Sequence, residues 1–178
     1  MRWTTRSHLH LDRTASAWLL RGFVDPDAEF VFLDWDVEPD ASDPCSFGMP
    51  GVALSSHDDR GTCFAKILRG HGLDGDPVLV QLERAVAAGV RRALGIPAPP
   101  EQTEADSVLG GALDTLGVGL GLLYPDDHEH LAAATPLYDA LYHAFRAERL
   151  DLSDAPADRI EQIAFVRRRL GITAPLNT

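Results

Sequence analysis

Most of this 178-residue chain is divided into segments of helical periodicity, each with its own start and stop signals. From residue 76 onward, apolar residues recur at spacings of three and four, the period of a helix that buries one face. Asp76 followed by a proline predicts one helix start, and Gly95 predicts its end. Thr103 with Asp106 predicts the next start. The glycines of residues 110–121 predict close helix packing, because a dinucleotide site would need a preceding strand. These signals restrict any β-sheet to the first third of the chain.

The first third contains the residues that favour strands. Residues 2–7, 29–33 and 52–55 each predict a short strand. A helix over residues 13–24 is predicted between the first two, with Asp12 as its cap. The predicted fold class is therefore α+β, mainly helical with a small sheet formed by the N-terminal third. No repeat or linker divides the chain, so one domain over residues 1–178 is expected.

The charge balance excludes one class of partner. The net charge is −11, whereas phosphate binding needs a basic face, so nucleic acid is not expected as a partner. The hydrophobic fraction of 45% is that of a soluble protein. No apolar run is expected to span a membrane, and no signal peptide is recognised. A cytoplasmic location is expected.

The two cysteines and the single lysine are interpreted residue by residue. Cys45 and Cys63 lack the spacing of a redox motif and are expected as free thiols. Cys63 is close to His57 in sequence, which leaves open a metal ligand, a reactive thiol or a small buried apolar group. Lys66 is the only lysine, which is interpreted as compositional bias.

The stretch from Arg6 to Arg13 alternates polar residues with leucines. If it is extended, the side chains of Arg6, His8 and His10 share one face with Asp12. Two imidazoles at this spacing can bind one divalent metal ion. The alternative is a surface strand with a polar outer face. Asp12 is expected to cap the following helix rather than to bind a ligand.

Two further histidines offer partners from distant sequence. His57 follows the third predicted strand, and His128 lies in the first turn of a predicted helix. Together with His8 and His10 they would make a site of three or four ligands that stays open to a small molecule. Such a site suits zinc, iron or manganese. The other histidines, at positions 71, 130 and 143, are expected at the surface or in the core.

Several segments together resemble one known family. They are Trp3-Thr4-Thr5-Arg6, the run from His8 to Phe30, Met49-Pro50-Gly51 through His57, Thr62-Cys63-Phe64, Asp126-Asp127-His128 and Tyr138-Asp139-Ala140-Leu141-Tyr142. On these residues the chain resembles the chromate-resistance ChrB-type family, in its C-terminal domain, over roughly residues 1–143. The resemblance implies a small cytoplasmic bacterial domain linked to chromate resistance and chromate-responsive regulation, alone or attached to a regulatory N-terminal half. Family members usually have carboxylates where this chain has Ala65 and Gly89.

The leading hypothesis is a divalent-metal-binding protein of the chromate-resistance type, acting as a metalloenzyme on a small polar or anionic substrate. The metal ligands would be His8, His10, His57 and His128. Arg6 and Arg13 would orient the anionic ligand by forked hydrogen bonds. Asp127 or Asp139 would support the ligands or act as a general base. The competing hypothesis is a non-catalytic domain that senses an oxyanion or a metal. In a third, the histidines are structural and the chain packs against another subunit, and a homo-oligomer stays open as one form of such packing.

Overall fold

The computed structural model describes residues 1–172. It contains two strands and six α-helices: β1 (Arg2–Arg6), α1 (Leu11–Leu19), β2 (Glu29–Leu33), α2 (Cys63–Gly70), α3 (Pro77–Leu94), α4 (Glu104–Leu123), α5 (Asp127–Ala147) and α6 (Arg159–Leu170). A π-helical turn, Leu20–Val24, continues α1. The predicted class, mainly helical α+β with a small N-terminal sheet, is confirmed.

The sheet is a single parallel pair. Strand β1 pairs with β2, with Trp3 opposite Phe30, and α1 forms the connection between them. The strand predicted over residues 52–55 is wrong, because this segment makes a single isolated bridge, between Leu54 and Phe47. Gly48 and Gly51 have positive φ angles of 63° and 83°, so the chain turns there instead of extending along the sheet.

The helix boundaries of the later chain follow their local signals. The Asp76 carboxylate accepts from the backbone N–H of Val78, and Thr103 and Asp106 form a reciprocal capping box. Gly95 ends α3 in the left-handed conformation. Each of these signals acts within a few residues, which is why the sequence predicts them well.

Asp12 has a different role from the predicted one. Helix α1 begins at Leu11, so Asp12 lies inside its first turn and does not cap it. The Asp12 carboxylate instead accepts from the backbone N–H groups of Cys63 at 2.9 Å and Phe64 at 3.1 Å. It therefore satisfies the free amides at the start of α2 and ties α1 to α2.

Glycines bring α3 and α4 close together, as predicted. A Cβ on Gly110 would lie 2.5 Å from the backbone nitrogen of Gly89.

The opposite side of α4 is open to solvent, and 22% of the most apolar 18-residue stretch of this helix is buried. By length and composition, α4 is the one helix of residues 1–172 that could cross a membrane. The expectation that no apolar run reaches that length is therefore wrong.

Candidate functional site

The N-terminal histidine motif is not extended. Strand β1 ends at Arg6, and His8 has a φ angle of 58°, the only positive value outside glycine in residues 1–172. A left-handed residue turns the chain and breaks the alternation of a strand. The prediction that Arg6, His8 and His10 share one face with Asp12 is therefore wrong, and His8 and His10 line different pockets.

Three hydrogen bonds hold the turn at His8. The two oxygens of Asp127 accept from the backbone N–H of His8 at 2.9 Å and of Leu9 at 2.7 Å. The Arg13 guanidinium donates to the His8 carbonyl oxygen at 2.7 Å. Left-handed backbone at a residue other than glycine is kept only where its surroundings enforce it. Asp127, predicted as a general base, is here an anchor for the backbone of the motif.

The first pocket, the His10–His57 pocket, has a volume of about 330 Å³. Its polar lining includes His10, Asp12, Arg13 and His57, and the C-terminal turn of α3 forms an apolar wall. Two of the four predicted metal ligands and one of the two predicted anion-binding arginines therefore line the same space.

His10 packs against α4. Its Nε2 is 3.3 Å from Oδ1 of Asp114, and the other carboxylate oxygen, Oδ2, lies 3.3 Å from Nε of Arg92. A Cβ on Gly117 would be 3.1 Å from the His10 ring, so the glycine leaves room for it. The contact with Asp114 has the distance of an ion pair but not hydrogen-bond geometry, and Nε2 is buried without a hydrogen-bond partner in the described chain.

A buried lysine fixes the loop that carries His57. Nζ of Lys66 donates to the carbonyl oxygens of Ser55 at 3.1 Å and Ser56 at 2.6 Å, and it lies 2.9 Å from a carboxylate oxygen of Asp58. Hydrogen bonds from Lys66 and Ser55 hold the pKa of Asp58 far below its usual value. Nδ1 of His57 is buried and, within residues 1–172, has no hydrogen-bond partner.

Sequence reasoning missed Lys66. The signal available was its position, because a lone lysine stands between apolar residues in the middle of a short helix. A charge in such a place is retained only where polar groups surround the ammonium.

Arg13 provides the positive charge of the His10–His57 pocket. Burial lowers the pKa of Arg13, and the carboxylates of Asp127 and Asp12 oppose that effect. A guanidinium stays protonated in proteins. Burial also raises the pKa of Asp12, and the amides of α2 oppose this. The side chain of Arg13 crosses Gly48, where a Cβ would be 2.8 Å from its Cγ.

The second pocket, the His8–His128 pocket, has a volume of about 480 Å³ and an acidic lining. Its lining includes the carboxylates of Asp34, Asp126 and Asp127 with the two histidines, and no lysine or arginine of the described chain lines it. The His128 ring packs edge to face on Phe32, with centroids 4.8 Å apart.

The remaining predicted site residues lie elsewhere. The Arg6 guanidinium donates to the carbonyl oxygens of Asp34 and Val37, and it is outside the lining of both pockets. Asp139 is buried in the core and accepts from the Trp18 indole at 2.8 Å. Cys63 is buried, and burial raises the pKa of its thiol.

The four predicted histidine ligands are divided between the two pockets. Among residues 1–172, no group of three or more histidine, cysteine, aspartate or glutamate side chains is positioned to hold a metal ion. A metal ion and the catalytic roles of Asp127 and Asp139 stay predictions.

Comparison with known proteins gave two matches. The sequence model of the family described as "ChrB, C-terminal domain" matches residues 3–145. Protein ChrB of Cupriavidus metallidurans (strain CH34) is 33% identical over 149 residues, which cover 83% of this chain and 41% of that protein. The chain thus spans about two fifths of the length of this relative. No solved structure matches it.

Proposed function

This chain belongs to the ChrB C-terminal domain family, and we propose that it serves chromate resistance as a non-catalytic domain that binds a small oxyanion in the His10–His57 pocket. One observation carries the proposal. Arg13, His10 and His57 line the same pocket, and each of the two imidazoles has a buried nitrogen that lacks a hydrogen-bond partner in residues 1–172.

These groups have the chemistry that an oxyanion needs. A guanidinium offers a planar fork of N–H donors, and an imidazole can donate from either ring nitrogen. A buried polar nitrogen without a partner costs about 1–3 kcal/mol, which a bound oxygen would offset. Two carboxylates near these groups are already engaged. Both oxygens of Asp12 accept amide hydrogens at the start of α2, and Asp114, which lies 3.3 Å from His10 Nε2, also pairs with Arg92.

Isothermal titration calorimetry on the full chain tests the proposal. Sulfate serves as a redox-inert tetrahedral dianion beside chromate. Arg13→Gln is expected to weaken binding by at least roughly tenfold, the effect of about 1.4 kcal/mol. Arg159→Gln removes the same charge at an exposed position on α6 and is the matched control. Equal binding by both variants, or no binding by the wild-type chain, would contradict the proposal.

A divalent metal ion is the second candidate ligand. The same two unpartnered nitrogens, His10 Nε2 and His57 Nδ1, are donors that zinc, iron or manganese accept, with waters in the remaining positions. Arg13 would then orient an anionic substrate on the metal, as a metalloenzyme requires. In this second candidate function, His8 and His128 would not bind the metal ion.

Elemental analysis of the purified chain separates the two candidates. Stoichiometric metal that is lost in His10→Ala/His57→Ala, but kept in His8→Ala/His128→Ala, favours the metal. A metal-free wild-type chain that binds sulfate favours the oxyanion. Each double variant removes two histidines, but from a different pocket. Metal loss that is caused by general unfolding would therefore appear in both variants.

A further inference from the structure

The His10–His57 pocket is larger than a small inorganic oxyanion requires. Its volume of about 330 Å³ falls in the range of pockets that hold organic ligands, about 300–1,000 Å³. A tetrahedral oxyanion such as sulfate would fill only part of this space. The pocket therefore has room for a ligand that continues beyond its anionic group.

One part of the pocket lining is apolar. Val90, Ala93 and Leu94 line the pocket, and their spacing of three and four residues places them on one face at the C-terminal end of α3. We call these three residues the α3 wall. Leu94 is 60% exposed although its side chain is large and apolar. A ligand that covers Leu94 would remove this apolar surface from water.

The charged side chains of the same helical turn are directed away from the α3 wall. Nε of Arg91 donates to the side-chain oxygen of Gln102 at 2.7 Å, and Nε of Arg92 lies 3.3 Å from Asp114. Neither arginine is among the lining residues of the pocket. The α3 wall thus offers apolar contacts without a competing charge from its own helix.

The polar lining comes from other elements. His10, Asp12 and Arg13 lie at the N-terminal end of α1, and Ser56 and His57 lie in the loop before α2. Within residues 1–172, Arg13 is the one arginine or lysine that lines the pocket. One guanidinium matches one anionic group, because its fork of N–H donors binds two oxygens of the same group.

We propose that the His10–His57 pocket takes a small organic anion, with one carboxylate or sulfonate group on an apolar chain of a few carbon atoms. The anionic group binds Arg13 and the two imidazoles, and the carbon chain packs on the α3 wall. Pockets for organic ligands combine a mainly apolar lining with a few polar groups in this way. The inference rests on the proposed oxyanion site and adds the part of the ligand that the polar groups do not specify.

Isothermal titration calorimetry of the full chain with two monoanions tests the organic anion. Methanesulfonate and butanesulfonate have the same anionic group and differ in the length of the alkyl chain. A buried methylene contributes up to about fourfold in affinity, so butanesulfonate is expected to bind at least roughly tenfold more tightly. Arg13→Gln should weaken the binding of both.

A substitution in the α3 wall tests where the alkyl chain lies. Leu94→Ser should lose at least roughly threefold in affinity for butanesulfonate and leave the binding of methanesulfonate and sulfate unchanged. Leu123→Ser is the matched control, because Leu123 is also the exposed last residue of a helix and lines neither pocket. Circular dichroism confirms that each variant is folded.

The outcomes separate the organic anion from the proposed oxyanion site. Sulfate binding with equal affinities for the two sulfonates would overturn the organic anion and keep the oxyanion site. The same holds if Leu94→Ser binds butanesulfonate as tightly as Leu123→Ser does. Butanesulfonate binding that is unchanged in Arg13→Gln would also overturn it, since the anionic group would then be unused. If neither sulfate nor a sulfonate binds to the wild-type chain, the proposed function itself fails.

Discussion

The two pockets differ in charge although each contains one histidine of the same short motif. His10 lines a pocket with Arg13, and Asp12 is the one carboxylate among the lining residues of that pocket. His8, two residues earlier, lies among the carboxylates of Asp34, Asp126 and Asp127 in a pocket that suits a cation. One left-handed residue separates these environments. The spacing of potential ligands in a sequence thus describes a site only if the backbone between them is regular.

Lys66→Met has the largest expected effect and tests whether the His10–His57 pocket depends on a buried charge. Lys66→Met leaves the carbonyl oxygens of Ser55 and Ser56 without their donor. We expect a loss of about 3 kcal/mol in the free energy of unfolding, measured by urea denaturation. Sulfate binding should be lost as the His57 loop moves. Lys66→Arg should recover part of the binding, and a Lys66→Met chain that binds sulfate like wild type would remove the lysine from this role.

Asp127→Ala tests the separation of the two pockets. The substitution removes the acceptor of two backbone N–H groups, so we expect a loss of about 2 kcal/mol in the free energy of unfolding. NMR spectra should show His8 losing its left-handed backbone. Glu129→Ala, at an exposed position in the same helical turn, is the control. A turn that persists in Asp127→Ala would mean that Arg13 alone enforces it.

Gly48→Ala tests whether Gly48 positions the side chain of Arg13. The new methyl group requires a left-handed backbone at an alanine and meets Cγ of Arg13. We expect a loss of about 1–2 kcal/mol in the free energy of unfolding, with weaker sulfate binding. Gly51→Ala has the same backbone cost but contacts nothing within 4 Å. Calorimetry that finds equal binding by the two variants would contradict the positioning of Arg13 by Gly48.

The smallest expected effect concerns His130, a buried histidine of α5. Burial lowers its pKa, with an opposing effect of Asp127 and a further lowering by His10. The unfolded chain therefore binds more protons, so stability falls as the pH falls below about 6.5 toward the pKa of the folded state. Urea denaturation between about pH 7 and 5 should show a shallower slope for His130→Gln than for the exposed-site variant His71→Gln. Equal slopes would exclude His130 as the cause.

Local signals could be read from the sequence, and distant partners could not. The capping box of Thr103 and Asp106 acts over three residues and was predicted correctly. Asp12 was recognised as a capping residue, but its helix begins 51 residues later. The environment of Lys66 and the division of the histidines likewise depend on contacts that no short window contains.

The contact between His8 and Asp127 joins residues 119 positions apart. Closing so long a loop costs conformational entropy before the contact can repay it. The turn at His8 should therefore form late in folding, after α5 has docked. A ribosome that has released the chain only as far as α4 would hold a protein that lacks Asp127 and His128, and with them one wall of the His8–His128 pocket. The His10–His57 pocket, whose lining residues all precede α4, could therefore be lined before the His8–His128 pocket is.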